Sequence, residues 1–511
     1  MKTNLLILIL IIISHVCPAQ GKRGNTWITG SGRTITAKFN GTQKPVLSLT
    51  YPTSNAGFPF YYYSGGSCIS DSATGNLLFS SNGMRIFDTT GAIMQNGDHL
   101  VQNNYYYHNA YPGSPGTQGS IILPKGSNGE YYVFTSGVSD TTYSKYWTSS
   151  TSIKAPFDMI SYCVIDMNQN NGLGGVVQKD KLLLNNVEMP KTMMQACKHS
   201  NGRDWWLLKT VGYDTNIIYR FLVAKDTIYG PYKQNINQSK FGYVDLVGQM
   251  AFSQDGKKMA ALQSTERKLF LADFDRCTGL LSNPKTFTIP IDSTTDPAFD
   301  NQNSFDSISA GICFSPNNNF LYISKWWNIY QFEYAQTDSS LAWVNIKHGA
   351  DTTLAKFQNY GHLTMGVDGR IYIGYFGGTA KQSSVIDYPN QKGSACGFCR
   401  KCFRYDNTSA YALTAPPNMP NYELGPDGNV NCAPVSNEEL IMKNEELVVY
   451  PNPASSKIVV RCKSIDIRKE LYNSVGQLVL STKDNEIDVR NLSSGIYYLK
   501  VGNQSKKIIV E

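Results

Sequence analysis

The chain is short of charge. Asp, Glu, Lys and Arg together make up only 17% of its 511 residues, and the net charge of +7 is modest. No basic cluster stands out ahead of the C-terminal tail, so nucleic acid is not an implied partner. Histidine is scarcer still. Past the first 20 residues only His99, His108, His199, His348 and His362 remain. A histidine metal site needs three of them to converge, and no two stand at helical ligand spacing. The Gly-x-Ser-x-Gly, His-Glu-x-x-His and Walker patterns are all absent, which removes the sequence-legible hydrolases and nucleotide-binding loops. Long helical patterns are nearly absent too. No apolar run after the N-terminus reaches the ~18 residues of a spanning helix, so the mature chain is expected to carry no transmembrane segment.

What is plentiful is Tyr and Gly, 32 and 43 residues, alongside Ser, Asn and Thr. This is a turn-rich β composition. Asn76-Leu77-Leu78-Phe79-Ser80, the turn Ser81-Asn82-Gly83, then Met84-Arg85-Ile86-Phe87 read as an antiparallel meander. A turn-then-strand unit recurs: Ser200-Asn201-Gly202 before Trp205-Trp206-Leu207, Ser253-Gln254-Asp255-Gly256 before Met259-Ala260, Ser315-Pro316-Asn317-Asn318 before Phe320-Leu321-Tyr322, and Val367-Asp368-Gly369 before Ile371-Tyr372-Ile373. Spacings of roughly 45 to 75 residues, close to the range of propeller repeats, point to a β-propeller of about seven blades over residues 20–424. The leading strands near 34–49 are expected to close the ring against the last blade.

Both ends carry addresses. Residues 1–19 have a basic start at Lys2, an apolar run and small residues at Pro18-Ala19, the pattern of a cleaved secretory signal peptide. The tail, 447–511, alternates short β-branched or aromatic runs with turns, enough for a small all-β sandwich. It opens on Tyr450-Pro451-Asn452-Pro453-Ala454, continues through Tyr472-Asn473-Ser474-Val475-Gly476-Gln477-Leu478 and Leu492-Ser493-Ser494-Gly495-Ile496-Tyr497-Tyr498, and ends on Lys506-Lys507-Ile508-Ile509-Val510. This order resembles the type A C-terminal sorting domain of the type IX secretion system of Bacteroidota. The resemblance implies an immunoglobulin-like sandwich, recognition by that machinery after passage through the periplasm, and a cargo released or attached to the outer cell surface. It also marks Tyr450, Pro451, Asn452, Pro453, Gly476, Gly495 and Tyr497 as sorting-motif residues. The stretch from about 60 to 424, with Gly65-Gly66-Ser67-Cys68-Ile69-Ser70-Asp71 and Ser161-Tyr162-Cys163-Val164-Ile165-Asp166, is similar to propeller-like regions of Bacteroidota surface proteins bearing such tails. No activity carries over from that similarity. Between body and tail, 425–446 reads as a linker at which the sorting domain is severed.

Candidate chemistry is thin. Tyr105-Tyr106-Tyr107 and Trp326 lie beside turns, and exposed rings there would stack on an extracellular glycan or anchor a protein ligand. His199 stands near Asp204 as a general-base candidate, with a turn or core role the plainer alternative. Ten cysteines follow the leader. Cys396, Cys399 and Cys402 form a C-x2-C-x2-C run with Cys432 downstream, and the secretory route favours disulfides over a metal cluster, with the pairing open. No cofactor is expected. Calcium is the one alternative, at the Asp-rich loop 292–306 or the Asn-rich turn 166–172. The reading is a secreted or surface binding protein. A propeller hydrolase and a structural part of a surface or motility apparatus are the alternatives.

Overall fold

The computed structural model describes residues 21–29, 34–50, 66–109, 113–126, 128–146, 156–211, 215–236, 248–263, 267–290, 309–325, 328–347, 359–376, 382–404, 416–428, 432, 448–461, 468–501 and 504–511. Residues 1–19, expected as a signal peptide, Trp326 and the Asp-rich loop 292–306 lie outside them.

Seven antiparallel sheets follow one another before the tail, each a meander in chain order. The first holds β1 (Thr26–Thr29), β2 (Thr34–Asn40) and β3 (Gln43–Thr50), and the second β4 (Ser67–Ser70), β5 (Leu77–Ser81) and β6 (Ile86–Phe87). Four strands make the third, β7 (Ser120–Pro124), β8 (Glu130–Gly137), β9 (Met159–Asp166) and β10 (Gly175–Leu184). The fourth is β11 (Met194–Lys198), β12 (Trp205–Val211), β13 (Ile217–Val223) and β14 (Ile228–Asn235). The fifth is β15 (Met250–Phe252), β16 (Lys258–Gln263), β17 (Lys268–Phe274) and β18 (Leu281–Thr288). The sixth is β19 (Ser309–Phe314), β20 (Leu321–Lys325), β21 (Asn328–Phe332) and β22 (Trp343–Lys347), and the seventh β23 (Asn359–Met365), β24 (Ile371–Phe376), β25 (Gln382–Ile386) and β26 (Phe398–Arg404).

The first strands of consecutive sheets are neighbours from β1 to β23. Each adjacent pair of sheets shares an apolar cluster. Trp206 packs with Phe270 and Phe274, Leu269 with Phe314 and Ile323, and Tyr322 with Ile371 and Ile373. The ring closes where Trp27 and Phe39 of the first sheet meet Tyr372 and Phe403 of the last, with ring centroids 5.4 Å apart for Trp27–Tyr372 and 5.7 Å for Phe39–Tyr372. This is a seven-bladed β-propeller. Among the described residues no strand is shared across its seam; aromatic packing closes it, with the Lys44–Asp387 ion pair at 2.9 Å and Arg370 Nη1 donating to Thr42 O at 2.6 Å.

The recurrent turns join the first strand of a blade to its second. Ser253 Oγ donates to Asp255 Oδ1 at 2.6 Å and accepts the Lys258 N–H at 2.9 Å, while Ser315 Oγ donates to Asn317 Oδ1 at 2.7 Å and accepts the Phe320 N–H at 3.0 Å. Each turn needs one left-handed residue. Gly256 supplies it at φ 70°, and Asn318 at φ 60°. Gly or Asn in that place is what the left-handed conformation permits at low cost.

After the last blade the chain does not leave the ring. Residues 416–427 run along the axis, beside the innermost strands. Asn418 is the pin. Its N–H donates to the Gly66 carbonyl at 2.8 Å, and its Nδ2 donates to the carbonyls of Ser120 at 2.9 Å and Met194 at 3.0 Å. Its Oδ1 accepts from Gln118 Nε2 at 3.3 Å and Gln195 Nε2 at 2.9 Å. One side chain thus satisfies groups on the third and fourth blades at once. Further along, Tyr422 is buried with its hydroxyl donating to Ile122 O at 2.9 Å, and Arg276 Nη2 donates to Gly425 O at 2.5 Å. The Asp427 N–H donates to Ser200 O at 2.9 Å, and Cys432 is disulfide-bonded to Cys277 with Cα atoms 5.5 Å apart. The linker expected over 425–446 is therefore corrected at its start. Gly425, Asp427 and Cys432 belong to the ring, because hydrogen bonds and a covalent bond hold them there.

The tail is a two-sheet sandwich. β27 (Val448–Tyr450), β28 (Lys457–Arg461) and β31 (Glu486–Asp488) make one sheet. β30 (Leu478–Thr482), β29 (Lys469–Asn473), β32 (Gly495–Val501) and β33 (Gln504–Val510) make the other, in that order. Val449, Ile458, Leu471, Ile487, Leu499 and Ile508 fill the space between them.

Candidate functional site

The axial segment fills one side of the channel. Beside it is a cavity of about 370 Å³ lined by the axial residues, by Trp27, and by the first strands of the fourth, fifth, sixth and seventh blades. Its inner end is a set of glutamines. Gln118 exchanges two bonds with Met250, Nε2 to O and N–H to Oε1, both 2.8 Å. Gln249 donates to Leu363 O at 2.7 Å and accepts from the N–H groups of Ile312 and Leu363 at 3.0 and 3.1 Å. Gln118 and Gln249 pair with backbone as a neighbouring strand would, reaching past the intervening blade.

His362, on β23, is the one imidazole lining the cavity among the described residues. It is 6% exposed, and its Nε2 has no hydrogen-bond partner. Burial pushes its pKa down to about 4, against a smaller opposing pull from the Gly248 backbone, so the ring is neutral at physiological pH. A buried polar nitrogen without a partner costs free energy unless something supplies the bond. Lys198 lines the cavity where the axial segment leaves it. Its Nζ donates to Tyr422 O at 2.6 Å and sits 4.9 Å from the Trp205 ring centroid. Burial lowers it to about 8. The thiols of Cys197 and Cys313 also line the cavity, and burial raises both to about 12. Both are protonated, and Cys313 Sγ turns to the Phe314 carbonyl rather than to His362. The arrangement offers hydrogen bonds and apolar contact. It holds no activated thiolate.

The sequence-designated aromatics divide. Tyr105 and Tyr106 are corrected. They lie in a short helix, α1 (Asn104–Asn109), and are wholly buried, Tyr105 against Phe157 and Tyr106 with its hydroxyl 2.9 Å from Thr135 Oγ1. On a helix, consecutive residues are ~100° apart, so two of three neighbours share the inward side, where a strand would alternate them. Tyr107 is 55% exposed, its ring 4.4 Å from His99 and its hydroxyl donating to Gln102 Oε1 at 3.2 Å. It stands away from the axis and does not line the cavity.

The other candidates resolve as structure. His199 is a turn histidine, with Nε2 2.9 Å from Cys277 O and Nδ1 accepting the Asn201 N–H at 3.0 Å. In the 166–172 turn the Asp166 carboxylate is occupied by Asn168 and Gln169 side chains, at 2.8 and 3.0 Å. Among the described residues no group of three His, Cys, Asp or Glu gathers to hold a metal. Cys399 and Cys402 are disulfide-bonded to each other, and Cys432 to Cys277, while Cys396 is corrected to a buried free thiol. Cys277, 155 residues from its partner, carried no signal beyond being a cysteine. Nor did Asn418 or His362. The one trace was the non-periodic Pro416-Pro417-Asn418-Met419-Pro420-Asn421-Tyr422, which fits no strand pattern.

In the tail, Pro451-Asn452-Pro453 follows β27, which ends on Tyr450. Asn452 brackets the last strand, with Nδ2 donating to Lys507 O and Oδ1 accepting the Ile509 N–H, both 2.8 Å. Gly476 has φ 82° in the turn between β29 and β30. Tyr497 is buried with its hydroxyl donating to Ser493 O at 2.8 Å. Gly495 opens β32, and no contact there requires glycine.

Residues 448–511 match the family described as the secretion system C-terminal sorting domain. Among curated proteins, none matches the sequence. Solved structures that are similar include a putative 6-phosphogluconolactonase from Bacteroides fragilis, 11% identical over 76% of this chain and 96% of that one, with a TM-score of 0.40. A second, from Bacteroides uniformis, is 13% identical over 77% and 89%, with a TM-score of 0.31. A protein from Lactobacillus plantarum is 10% identical over 83% and 97%, with a TM-score of 0.36. Nothing of their chemistry carries over to this chain. The sorting tail marks the chain for export by the type IX secretion system. Among the described residues no helix is long and apolar enough to cross a membrane.

Proposed function

We propose that this chain, sent out through the type IX system by its sorting domain, is a binding module whose ligand site is the axial cavity of the propeller. The observation that carries the reading is the partnerless Nε2 of buried His362 at a cavity of about 370 Å³. Pockets of this size, apolar with a few convergent polar groups, hold small molecules. A neutral imidazole and side-chain amides suit an uncharged, hydroxyl-bearing ligand, so a glycan end-group is the ligand class. Protonated thiols and a single imidazole favour binding over hydrolysis. The reading uses no cofactor. Purified protein from the culture medium on a glycan array, with and without EDTA, tests it. Retention of a glycan, at least tenfold weakened in His362→Ala and unchanged by EDTA, is expected. Absence of any glycan ligand, or binding indifferent to the substitution, would contradict the site and move the module towards a protein partner.

The same histidine gives a pH signature. Its folded pKa of about 4 lies below the ordinary value of 6.5. The unfolded chain therefore binds the proton that the folded chain refuses, between those two values. The stabilisation is complete above pH 6.5 and is lost as pH falls to about 4, a change of about 3 kcal/mol. Chemical denaturation of wild type and His362→Gln across that window should show the wild-type slope and its reduction in the variant.

A further inference from the structure

The two outer faces of the sorting domain differ in kind. Strand register places Tyr472 opposite both Leu478 and Tyr498, Tyr498 opposite Lys507, and Ile496 opposite Ile509. These residues lie on the side of the four-stranded sheet away from the core, which is made by Leu471, Tyr497, Leu499 and Ile508. Leu478, Ile496, Tyr498 and Ile509 are all exposed, Tyr498 by 45%. The result is an apolar and aromatic band across all four strands, with Lys507 opposite Tyr498 and, at one side, Glu470 opposite Lys500 and accepting the Tyr472 hydroxyl at 2.8 Å. The outer face of the other sheet carries an ion pair of 2.8 Å between Lys457 and Glu486, beside the half-buried Val459. Of the 13 large hydrophobic side chains that are exposed among the described residues, six lie in this small domain. Exposed apolar residues gathered on one face mark an interaction surface, whereas scattered ones do not.

We infer that the outer face of the β30-β29-β32-β33 sheet is the surface by which the sorting domain docks on the export machinery, against an apolar strip. The match to a secretion sorting domain fixes the occupant as that machinery. Side chains are the means of recognition on the face of a sheet, and the aromatic pair Tyr472 and Tyr498 stands at its centre.

The full-length chain is expressed in a type IX-competent host, and cargo is measured in medium, on the cell surface and in periplasm. Ile496→Ser with Tyr498→Ser should cut export at least tenfold and leave the chain in the periplasm. Lys457→Ser with Glu486→Ser, on the opposite face, should export normally. Normal export of the first variant, or equal loss from both, overturns the assignment. So does a first variant that exports normally but no longer self-associates, since the face would then be a contact between copies. If the first variant proves unfolded by circular dichroism, a photo-crosslinking residue at position 498 decides. Crosslinks to an outer-membrane export subunit from 498 and not from 457 support the face, and the reverse overturns it.

Discussion

Replacing Asn418 by alanine is expected to destabilise the propeller by about 3–5 kcal/mol, more than most single substitutions. The reason is the number of groups left behind. The amide side chain makes four hydrogen bonds, to Ser120 O and Met194 O and from Gln118 and Gln195. All four partners are buried, and each orphaned group costs about 1 kcal/mol or more. Water can recover part of this only if the vacated volume admits it. Asn418→Asp keeps the size but turns a donor into an acceptor facing two carbonyls, so at neutral pH it should be no better than alanine. Burial and the two carbonyls push that carboxyl above the ordinary Asp range, so its protonation as pH is lowered should recover part of the loss. Thermal or urea denaturation of the three proteins, followed by tryptophan fluorescence, reads these differences. A loss under 1 kcal/mol for alanine would mean that the axial segment is an ornament on a ring already closed.

Removing the Cys277–Cys432 disulfide is the second large effect. The bond spans 155 residues and ties the end of the axial segment to the turn after β17. Loop-closure entropy for a span of this length predicts about 5 kcal/mol, with 2–4 kcal/mol the usual yield. The Cys399–Cys402 bond spans three residues. The same relation gives it under about 2 kcal/mol. Cys277→Ser with Cys432→Ser should therefore lower the melting temperature clearly, while Cys399→Ser with Cys402→Ser shifts it little. Dithiothreitol should lower the wild type to the level of the first variant and leave that variant almost unmoved. Equal sensitivity of both pairs would contradict the assignment of the long bond as the latch. The location also bears on maturation. Removing the sorting domain anywhere beyond Cys432 leaves the axial segment with the cargo.

These two effects sit where the sequence was least informative. The blades were legible because they repeat. A serine, an Asp or Asn, and a left-handed Gly or Asn come round again, and each instance supports the others. The C-terminal end was legible because a sorting tail has local, ordered patterns. The axial segment occurs once and has no period. Its partners, Gly66, Ser120, Met194 and Ser200, are 134 residues apart at the extremes (200 − 66) and come together only when the ring closes. The same holds for Cys277, chosen by position in space from ten equivalent thiols. His362 lies in an ordinary strand pattern, Tyr360-Gly361-His362-Leu363, and its missing partner is visible only in three dimensions. The tyrosine triplet failed for a different reason. A six-residue helix between strands has too few turns to show a period of 3.6, so a strand reading spread the rings over both faces. Tyr107 alone faces water.

The account rests on the chain after the last blade threading the ring. Hydrogen exchange of the backbone amides tests this most directly. The N–H groups of Asn418 and Asp427 donate to Gly66 O and Ser200 O at 2.8 and 2.9 Å. They should exchange as slowly as the amides of β7 and β11, orders of magnitude below a free peptide, because they open only with the ring itself. Exchange of both at the free-peptide rate, with the strands still protected, would contradict the threaded axis and with it the cavity that the axial segment shapes.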